Sequence, residues 1–335
     1  MADGISVLFT SAGRRVELLQ AFRRAYTGLT LTGRIIVTDV DPLAPSFQVA
    51  DASYLVPLTS DRHFVPALAK ICERERIQLV FPLTDTDIPV LAAHKGELAA
   101  TGARVAVVSP EWADTTRDKW KTYLFFRSHG IPTPATWLPA QVHESSPGFP
   151  LFVKPRAGSA GKFAFTARDA KQLSFFLGYA PDPIVQEYLD GPEITTDVVS
   201  DFEGKVLGAV SRERIEVRSG EVAKGRTVFD ETVLRLSVEI STLMGAVGPI
   251  TVQCILKDGK PRFTEVNARF GGGSPLGFAA GVDSPQWLLA LAAGMEPDIP
   301  LLGTYTRNLY LTRYDGSFFL TSDQYAAAKS SSLRP

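Results

Sequence analysis

Short apolar runs alternate with amphipathic stretches through the first third of the chain. ISVLFT (5–10), RIIVTDV (34–40), ASYLVPL (52–58), IQLVFPL (77–83) and ARVAVVS (103–109) read as strands, and segments 14–26, 62–76 and 86–100 carry helical periodicity between them. Strands apolar on both faces, joined by helices, predict a parallel, doubly wound α/β sheet. From Thr116 the pattern changes. RDKWKTYLFFRSHG predicts an amphipathic helix stopped by Gly130 and by the stiff IPTP exit, and residues 139–149 (PAQVHESSPGF) read as a polar surface loop. LFVKP, FAFTA and IVQEYL read as strands around the Gly-rich turn RAGSAGK and the helix RDAKQLSFFLG. EITTDVVSD and VLGAVSRERIEV form a hairpin turning at Glu203–Gly204, followed by a helix at 231–245. ITVQCILK and RFTEVNAR pair across DGKP, and a last helix covers 284–294. Antiparallel runs with helices on one side predict an α+β region, ending in a Ser/Ala-rich tail at 326–335 that frays.

Composition narrows the class. With 335 residues, 45% hydrophobic and 21% charged, the chain is globular and holds two or three domains, which excludes disordered, collagen-like and coiled-coil classes. Thirty-five basic residues against 36 acidic ones leave no bulk charge for a polyanion, so nucleic acid is excluded as the main partner. Cys72 and Cys254 lie far apart, which fits a reducing compartment and excludes a disulfide scaffold or a Cys-based zinc site. His63, His94, His129 and His143 have no metal-ligand spacing and read as surface or packing residues. MADGISVLFT lacks the basic start of a signal peptide, and no apolar stretch reaches the roughly 18 residues of a membrane span. A cytoplasmic protein with no membrane partner is expected.

The chemistry concentrates in three places. On the strand pair, alternation puts Val252, Cys254 and Leu256 on one face and Thr251, Gln253 and Ile255 on the other; on the second strand Phe263, Glu265 and Asn267 share a face. Gln253, Glu265 and Asn267 then offer three hard oxygen donors at one point, which suits Mg²⁺ completed by phosphates and water. Arg269 continues that face and could grip a phosphate bidentately. In FVKPRAGSAGKF, Lys154 ends a strand before a loop whose N–H groups can fold over phosphate oxygens, with Lys162 on the loop. It is not a Walker A loop, because Arg156 stands where its first glycine would be and Phe163 replaces the Ser/Thr. In IVQEYLDGPE, Glu187 and its neighbours could read a purine edge, and Glu193 could accept from ribose hydroxyls; an acidic loop between strands is the plainer alternative for either.

In this order the pieces resemble the ATP-grasp superfamily, in particular its carbamoyl-phosphate-synthetase-like branch, over nearly the whole chain. The resemblance runs through DK…GIPTP, FVKP…G…GK, QEYLDGPE and GPITVQ…DGKPRFTEVNARFGGG. It implies a Rossmann-like pre-ATP-grasp domain over 1–112, a small subdomain with the Gly-rich loop over 113–186, and a large subdomain with the metal site and a C-terminal extension over 187–335. Lys119 and Lys154 match its phosphate-contacting lysines, with Gly158, Ser159 and Gly161 in the loop. Glu187, Tyr188 and Leu189 match the adenine linker, Glu193 the ribose carboxylate, and Gln253, Glu265 and Asn267 the ligands of one or two Mg²⁺ ions (or Mn²⁺). Arg269 matches the arginine that stabilises the transferring phosphoryl group, so Arg269 and Lys154 are the expected catalytic residues. The first metal ligand is Gln, as in the synthetase branch, rather than Asp or Glu, which lowers the charge of the ligand set.

The implied activity is that of a carboxylate–amine ligase: ATP phosphorylates a carboxylate, ADP leaves, and an amine displaces phosphate. An amino-acid ligase is the preferred form. A carbamoyl- or carboxyphosphate-forming enzyme and a non-catalytic ATP-binding regulatory protein are the alternatives. A nicotinamide-dependent dehydrogenase with Asp39 on the ribose is set aside, because SAGRR is not the GxGxxG turn it needs. For the small-molecule carboxylate and amine, Arg14 and Arg15 are candidates for an anion, and Asp85 or Asp87 for an ammonium beyond the fourth strand. Arg212, Arg214, Lys224 and Arg226 flank a segment expected to be mobile, with substrate or phosphate contact as their candidate role. The apolar stretches 121–126 and 286–293 read as core, with a homodimer surface as the alternative.

Overall fold

The computed structural model describes residues 4–145, 147–158, 161–218 and 220–330. The first apolar runs become five parallel strands, β1 (Ser6–Thr10), β2 (Ile35–Asp39), β3 (Ala52–Leu55), β4 (Ile77–Pro82) and β5 (Arg104–Val105), in the order β3-β2-β1-β4-β5. Every residue of β1 and β2 is buried, as expected of strands covered on both faces. Helices α1 (Val16–Leu29), α2 (Phe64–Glu75), α3 (Asp87–Ala93) and α4 (Lys95–Ala99) join them; the single helical pattern at 86–100 is two helices that meet at His94. α1 buries Leu18, Leu19, Phe22, Ala25 and Tyr26, one stripe at helical spacing. Because the strand order reverses between β1 and β4, their carboxyl ends open a crevice.

Helices α5 (Pro110–Arg117) and α6 (Lys119–Ser128) lead to a four-stranded antiparallel sheet of β6 (Thr136–Trp137), β7 (Leu151–Pro155), β8 (Phe165–Ala167) and β9 (Pro183–Glu187), ordered β6-β9-β7-β8. Two helices accompany it, α7 (Pro139–Ser145) and α8 (Ala170–Tyr179). α7 corrects the surface loop expected over 139–149: Val142 packs with Leu151, Val153 and Val185, and that one anchor sets a helix in an otherwise polar stretch. This sheet keeps a hydrophobic cluster of its own.

A six-stranded antiparallel sheet completes the chain, made of β10 (Glu193–Ser200), β11 (Val206–Arg218), β12 (Glu221–Val228), β13 (Pro249–Lys257), β14 (Lys260–Asn267) and β15 (Tyr310–Thr312) in the order β14-β13-β10-β11-β12-β15. Helices α9 (Glu231–Leu243), α10 (Ser274–Ala279), α11 (Ser284–Ala292) and α12 (Ser322–Lys329) accompany it. Arg214 and Lys224, expected to flank a mobile segment, lie on paired strands, with Glu216 opposite Lys224 and Arg218 opposite Glu221; Ser219 lies outside the described residues. Of the tail expected to fray, Ser322–Lys329 is helical, and residues 331–335 lie outside the described residues.

The parallel sheet and the six-stranded sheet share one core. Phe22 of α1 and Phe81 of β4 meet Phe270, three residues past β14, at ring separations of 5.9 and 5.5 Å, and Phe270 passes the contact on to Phe278. Among the described residues no helix is long and apolar enough to cross a membrane.

Candidate active site

A cavity of about 440 Å³ lies between the four-stranded and six-stranded sheets. Lys154, next to last in β7, enters it from a 9% exposed position. Burial draws its amine from the ordinary lysine value down to about 8, against the charges of Glu265 and Glu193 and with that of Lys119. An amine stripped of water in this way is a receptor for an anion. Lys119 opens α6, where the Asp118 carboxylate caps the helix by accepting from Trp120 N–H (2.9 Å). Asp118 also holds Arg156, and Lys119 N–H donates to Arg156 O at 2.9 Å, so the helix start is tied to the end of β7. From there Lys119 Nζ reaches Gly158 O in the Gly-rich loop at 2.6 Å. Gly158 and Gly161 line the cavity; Ser159 lies outside the described residues.

Glu187, Tyr188 and Leu189 form the next wall, at the end of β9. The Glu187 carboxylate is bonded to Lys257 and accepts from Ala135 N–H at 3.3 Å. Burial raises its pKa, but the hydrogen bonds from Lys257 and Ala135 and the charges of Lys257 and Arg262 together outweigh that, so the net direction is down. The chain then crosses to β10 through Gly191, at φ 155°, where a Cβ would come within 2.0 Å of Leu256 O. Only glycine fits there. Glu193, the first residue of β10, is paired with Arg214 and lies 3.4 Å from Gln253 Nε2.

The expected donor set is brought together, by a route that simple alternation misses. Gln253 stands opposite Glu265 but Cys254 stands opposite Phe263, so Thr264 is the extra residue of a β-bulge. The bulge corrects the face assignment for β14: Phe263 is fully buried and both Thr264 and Glu265 line the cavity. Asn267 follows, its nitrogen 3.2 Å from Glu265 Oε1 and 3.3 Å from Asp85 Oδ1 in the orientation that satisfies both carboxylates. Glu265, Asn267 and Gln253 bring one carboxylate and two amides to this wall, and with the Asn267 amide turned to present its oxygen beside Glu265 the set fits Mg²⁺ bound jointly with phosphate oxygens. Among the described residues no three His, Cys, Asp or Glu side chains gather into a metal site of their own.

Arg269 ends this wall, held by Asp85 through Nε (2.8 Å) and Nη2 (2.9 Å). Burial lowers its pKa, and the charge and hydrogen bonds of Asp85 together with the charges of Glu265 and Glu221 more than offset that, so the guanidinium stays firmly protonated. Asp85 therefore holds an arginine, not a free place for an ammonium.

Other candidates lie off the cavity. Asp87 is fully buried and accepts from Thr10 Oγ1 (2.6 Å) at the end of β1, from the adjacent Ser11 Oγ (3.0 Å) and from Thr59 Oγ1 (3.1 Å), so its carboxylate ties the end of β1 to the loop after β3 and is already occupied by hydroxyls. Arg212, 4% exposed, is fixed on Asp197 at 2.8 Å behind Gly271 and Gly273. Lys224 pairs with Glu216 and Arg226 with Glu213, both at 2.7 Å, along the β11–β12 hairpin. Arg14 and Arg15 both approach Glu221. Of the described hairpin arginines only Arg214 lines the cavity, and the register of β11 shifts just beyond it, at Glu216 and Val217. Glu221 and Arg313 go unread in the sequence, because their place beside Arg15 is set by pairing across distant strands.

Residues 7–106 match the model of the PylC-like N-terminal domain and residues 116–273 that of the ATP-grasp domain. The chain is 25% identical over 285 residues to the 3-methyl-D-ornithine–L-lysine ligase of Methanosarcina barkeri, covering 83% of this chain and 72% of that one. It is 26% identical over 273 residues to the carbamoyl phosphate synthase large chain of Thermoplasma acidophilum, covering 74% of this chain but only 26% of that much longer one. In fold it is similar to the biotin carboxylase domain dimer of Hydrogenobacter thermophilus 2-oxoglutarate carboxylase, solved with MgADP and bicarbonate. That likeness has a TM-score of 0.72 at 18% identity and covers 92% of this chain and 74% of that one. With a PylC-like N-terminal domain followed by an ATP-grasp domain, the chain belongs to the ATP-grasp superfamily.

Proposed function

We propose that the chain is an ATP-dependent ligase that activates a carboxylate as an acyl phosphate, releases ADP, and joins the acyl group to an amine, with amino acids as the favoured substrates. The observation that carries this reading is the desolvated Lys154 in one cavity with Lys119, Glu265, Asn267 and Arg269. Such a wall suits a polyphosphate and its cation together. In this reading residues 1–112 form the pre-ATP-grasp domain, 113–186 the small subdomain and 187–335 the large one.

Lys154 and Lys119 neutralise phosphate oxygens, and the backbone of the loop 157–162 closes over them and keeps water from the acyl phosphate. The linker through Tyr188 and Leu189 holds the adenine, and Glu193 accepts from the ribose. Gln253, Glu265 and Asn267 would hold Mg²⁺, one ion or two, which when bound polarises the phosphoryl oxygens. Arg269, oriented by Asp85, grips the oxygens of the moving phosphoryl group. In the first step a carboxylate oxygen attacks the γ-phosphorus and the bond to the β–γ bridging oxygen breaks. In the second the amine nitrogen attacks the acyl carbon, and phosphate leaves with the oxygen that came from the carboxylate. The amine sheds its proton to that phosphate.

The oxygen route makes the test. Acids labelled with ¹⁸O in the carboxylate, given Mg²⁺-ATP and a pool of amino acids, transfer one label into inorganic phosphate. Unlabelled phosphate alongside amide product contradicts the acyl phosphate. Bicarbonate alone eliciting ADP would favour the carboxyphosphate-forming alternative, which the likeness to the synthase large chain supports.

A further inference from the structure

Arg15 is largely withdrawn from solvent, 17% exposed, and is poorly matched. Its guanidinium donates no hydrogen bond to any described residue, and its nearest carboxylate oxygen, on Glu221, is 3.7 Å away, beyond hydrogen-bonding distance. Burial draws its pKa down to about 10, with the charge of Glu221 opposing. A mostly buried guanidinium whose donors have no acceptor among the described residues suits an anion.

Its position points the same way. Arg15 follows β1 and Asp85 follows β4, the two strands between which the sheet order reverses, and open α/β sheets bind ligands in that crevice. Facing them are Gly272, three residues beyond Arg269, Glu221 at the start of β12, and Arg313 just after β15. Arg313 is bonded to Glu17 at 2.7 Å and to Gly272 O, and lies 3.6 Å from Glu221; Arg14 lies 3.3 Å from Glu221. Arg14, Arg15 and Arg313 therefore share the two carboxylates Glu17 and Glu221, while Arg269 and Asp85 cancel each other. One positive charge is left over. A Cβ on Gly272 would stand 3.0 Å from Arg15 Nη1 and 3.1 Å from Glu221 Cδ, so it is the glycine that lets the Arg15 and Glu221 side chains lie against the backbone here.

We propose that Arg15 and Arg313, across Gly272, form a subsite for a substrate carboxylate that is bound but not activated, so that one substrate carries a carboxylate besides the reacting groups. This rests on the ligase reading above: the reacting carboxylate belongs beside Arg269, and a second anion matches the charge left at Arg15. An α-amino acid attacking through its nitrogen has such a group, and so does a dicarboxylic acid; the chemistry at Arg15 is the same.

The test uses the full chain, Mg²⁺-ATP and ADP release, with wild type, Arg15→Gln, Arg15→Lys and Gly272→Ala. The amine is varied as the twenty proteinogenic amino acids against their α-amides, and the acid as glutamate or succinate against norvaline or butyrate. Wild type favours the substrate bearing the extra carboxylate by on the order of ten- to a hundred-fold in kcat/KM, the worth of a charge-assisted contact. Arg15→Gln abolishes that preference through KM, Arg15→Lys recovers part of it, and the KM for ATP stays the same. Whichever of the two comparisons collapses identifies the substrate that carries the group. Gly272→Ala keeps every charge and crowds the niche, so it gives the same answer if Arg15→Gln does not fold. An undiminished preference in folded Arg15→Gln and Gly272→Ala overturns the subsite, as does Mg²⁺-ATP binding in wild type with ADP release from none of these substrates. Absence of Mg²⁺-ATP binding by calorimetry removes the ligase reading itself, and the subsite with it.

Discussion

Lys154 gives the site a pH signature. Its amine titrates near 8 when folded and near 10.5 when unfolded. Below pH 8 the amine is charged in both states, and the folded chain bears the full desolvation cost. Between pH 8 and 10.5 the unfolded chain keeps a proton that the folded chain has released, so stability of the nucleotide-free protein rises with pH through that window, by on the order of 3 kcal/mol. Denaturant unfolding at pH 7 and pH 10 should show Lys154→Met more stable than wild type at the lower pH, with the rise flattened. The same variant should lose ATP affinity by about a hundred-fold or more, because the phosphates lose a desolvated cation. Near pH 8.5, ATP binding to wild type should take up a proton, visible as a binding enthalpy that follows the ionisation enthalpy of the buffer. Arg269→Lys keeps the charge but loses the fork held by Asp85, so kcat should fall on the order of a hundred-fold with little change in the KM for ATP.

At the scale of elements, the crossing from β9 to β10 is the most constrained joint of the site. Gly191→Ala must move either β13 at Leu256 or the linker that lines the cavity. Equilibrium unfolding should show a loss of about 2–4 kcal/mol, and the KM for ATP should rise; an unchanged stability would mean the joint can relax freely. This is also the scale at which the sequence was partly legible. The strands of the parallel sheet show as unbroken apolar runs, and Lys154, Gln253, Glu265 and Asn267 could be nominated from their types and spacing, Lys119 only from the family resemblance. The bulge at Thr264 could not, because no local pattern announces one extra residue on one strand. α7 hid in a polar stretch whose helix depends on the burial of Val142 against a neighbouring sheet, and β12 reads as charged and irregular because it pairs with β11 through ion pairs. Asp87 shows the converse case, since a carboxylate beyond a strand end looks free until its hydroxyl partners, at the end of β1 and in the loop after β3, are in view.

At the scale of the molecule, the parallel sheet and the six-stranded sheet are welded through Phe270, while the four-stranded sheet that carries Lys154 has a separate core. Phe270→Ala should cost about 3–5 kcal/mol and shift the unfolding of both large sheets together. Hydrogen exchange should report one common protection for β1, β4, β10 and β13 and a lower one for β7 to β9, which rises when Mg²⁺-ATP binds; equal protection throughout would speak against a separately moving sheet. In the proposed function, the four-stranded sheet with Lys154 grips phosphate over a floor that holds Glu265, Asn267 and Arg269, as a ligase that must enclose a labile acyl phosphate requires. The most direct test of that account is nucleotide product analysis with Mg²⁺-ATP and pooled amino acids and small carboxylates, run beside Glu265→Gln. ADP and phosphate that depend on a particular acid, and that fall at least about a hundred-fold in the variant, are the predicted result. AMP and pyrophosphate would contradict it.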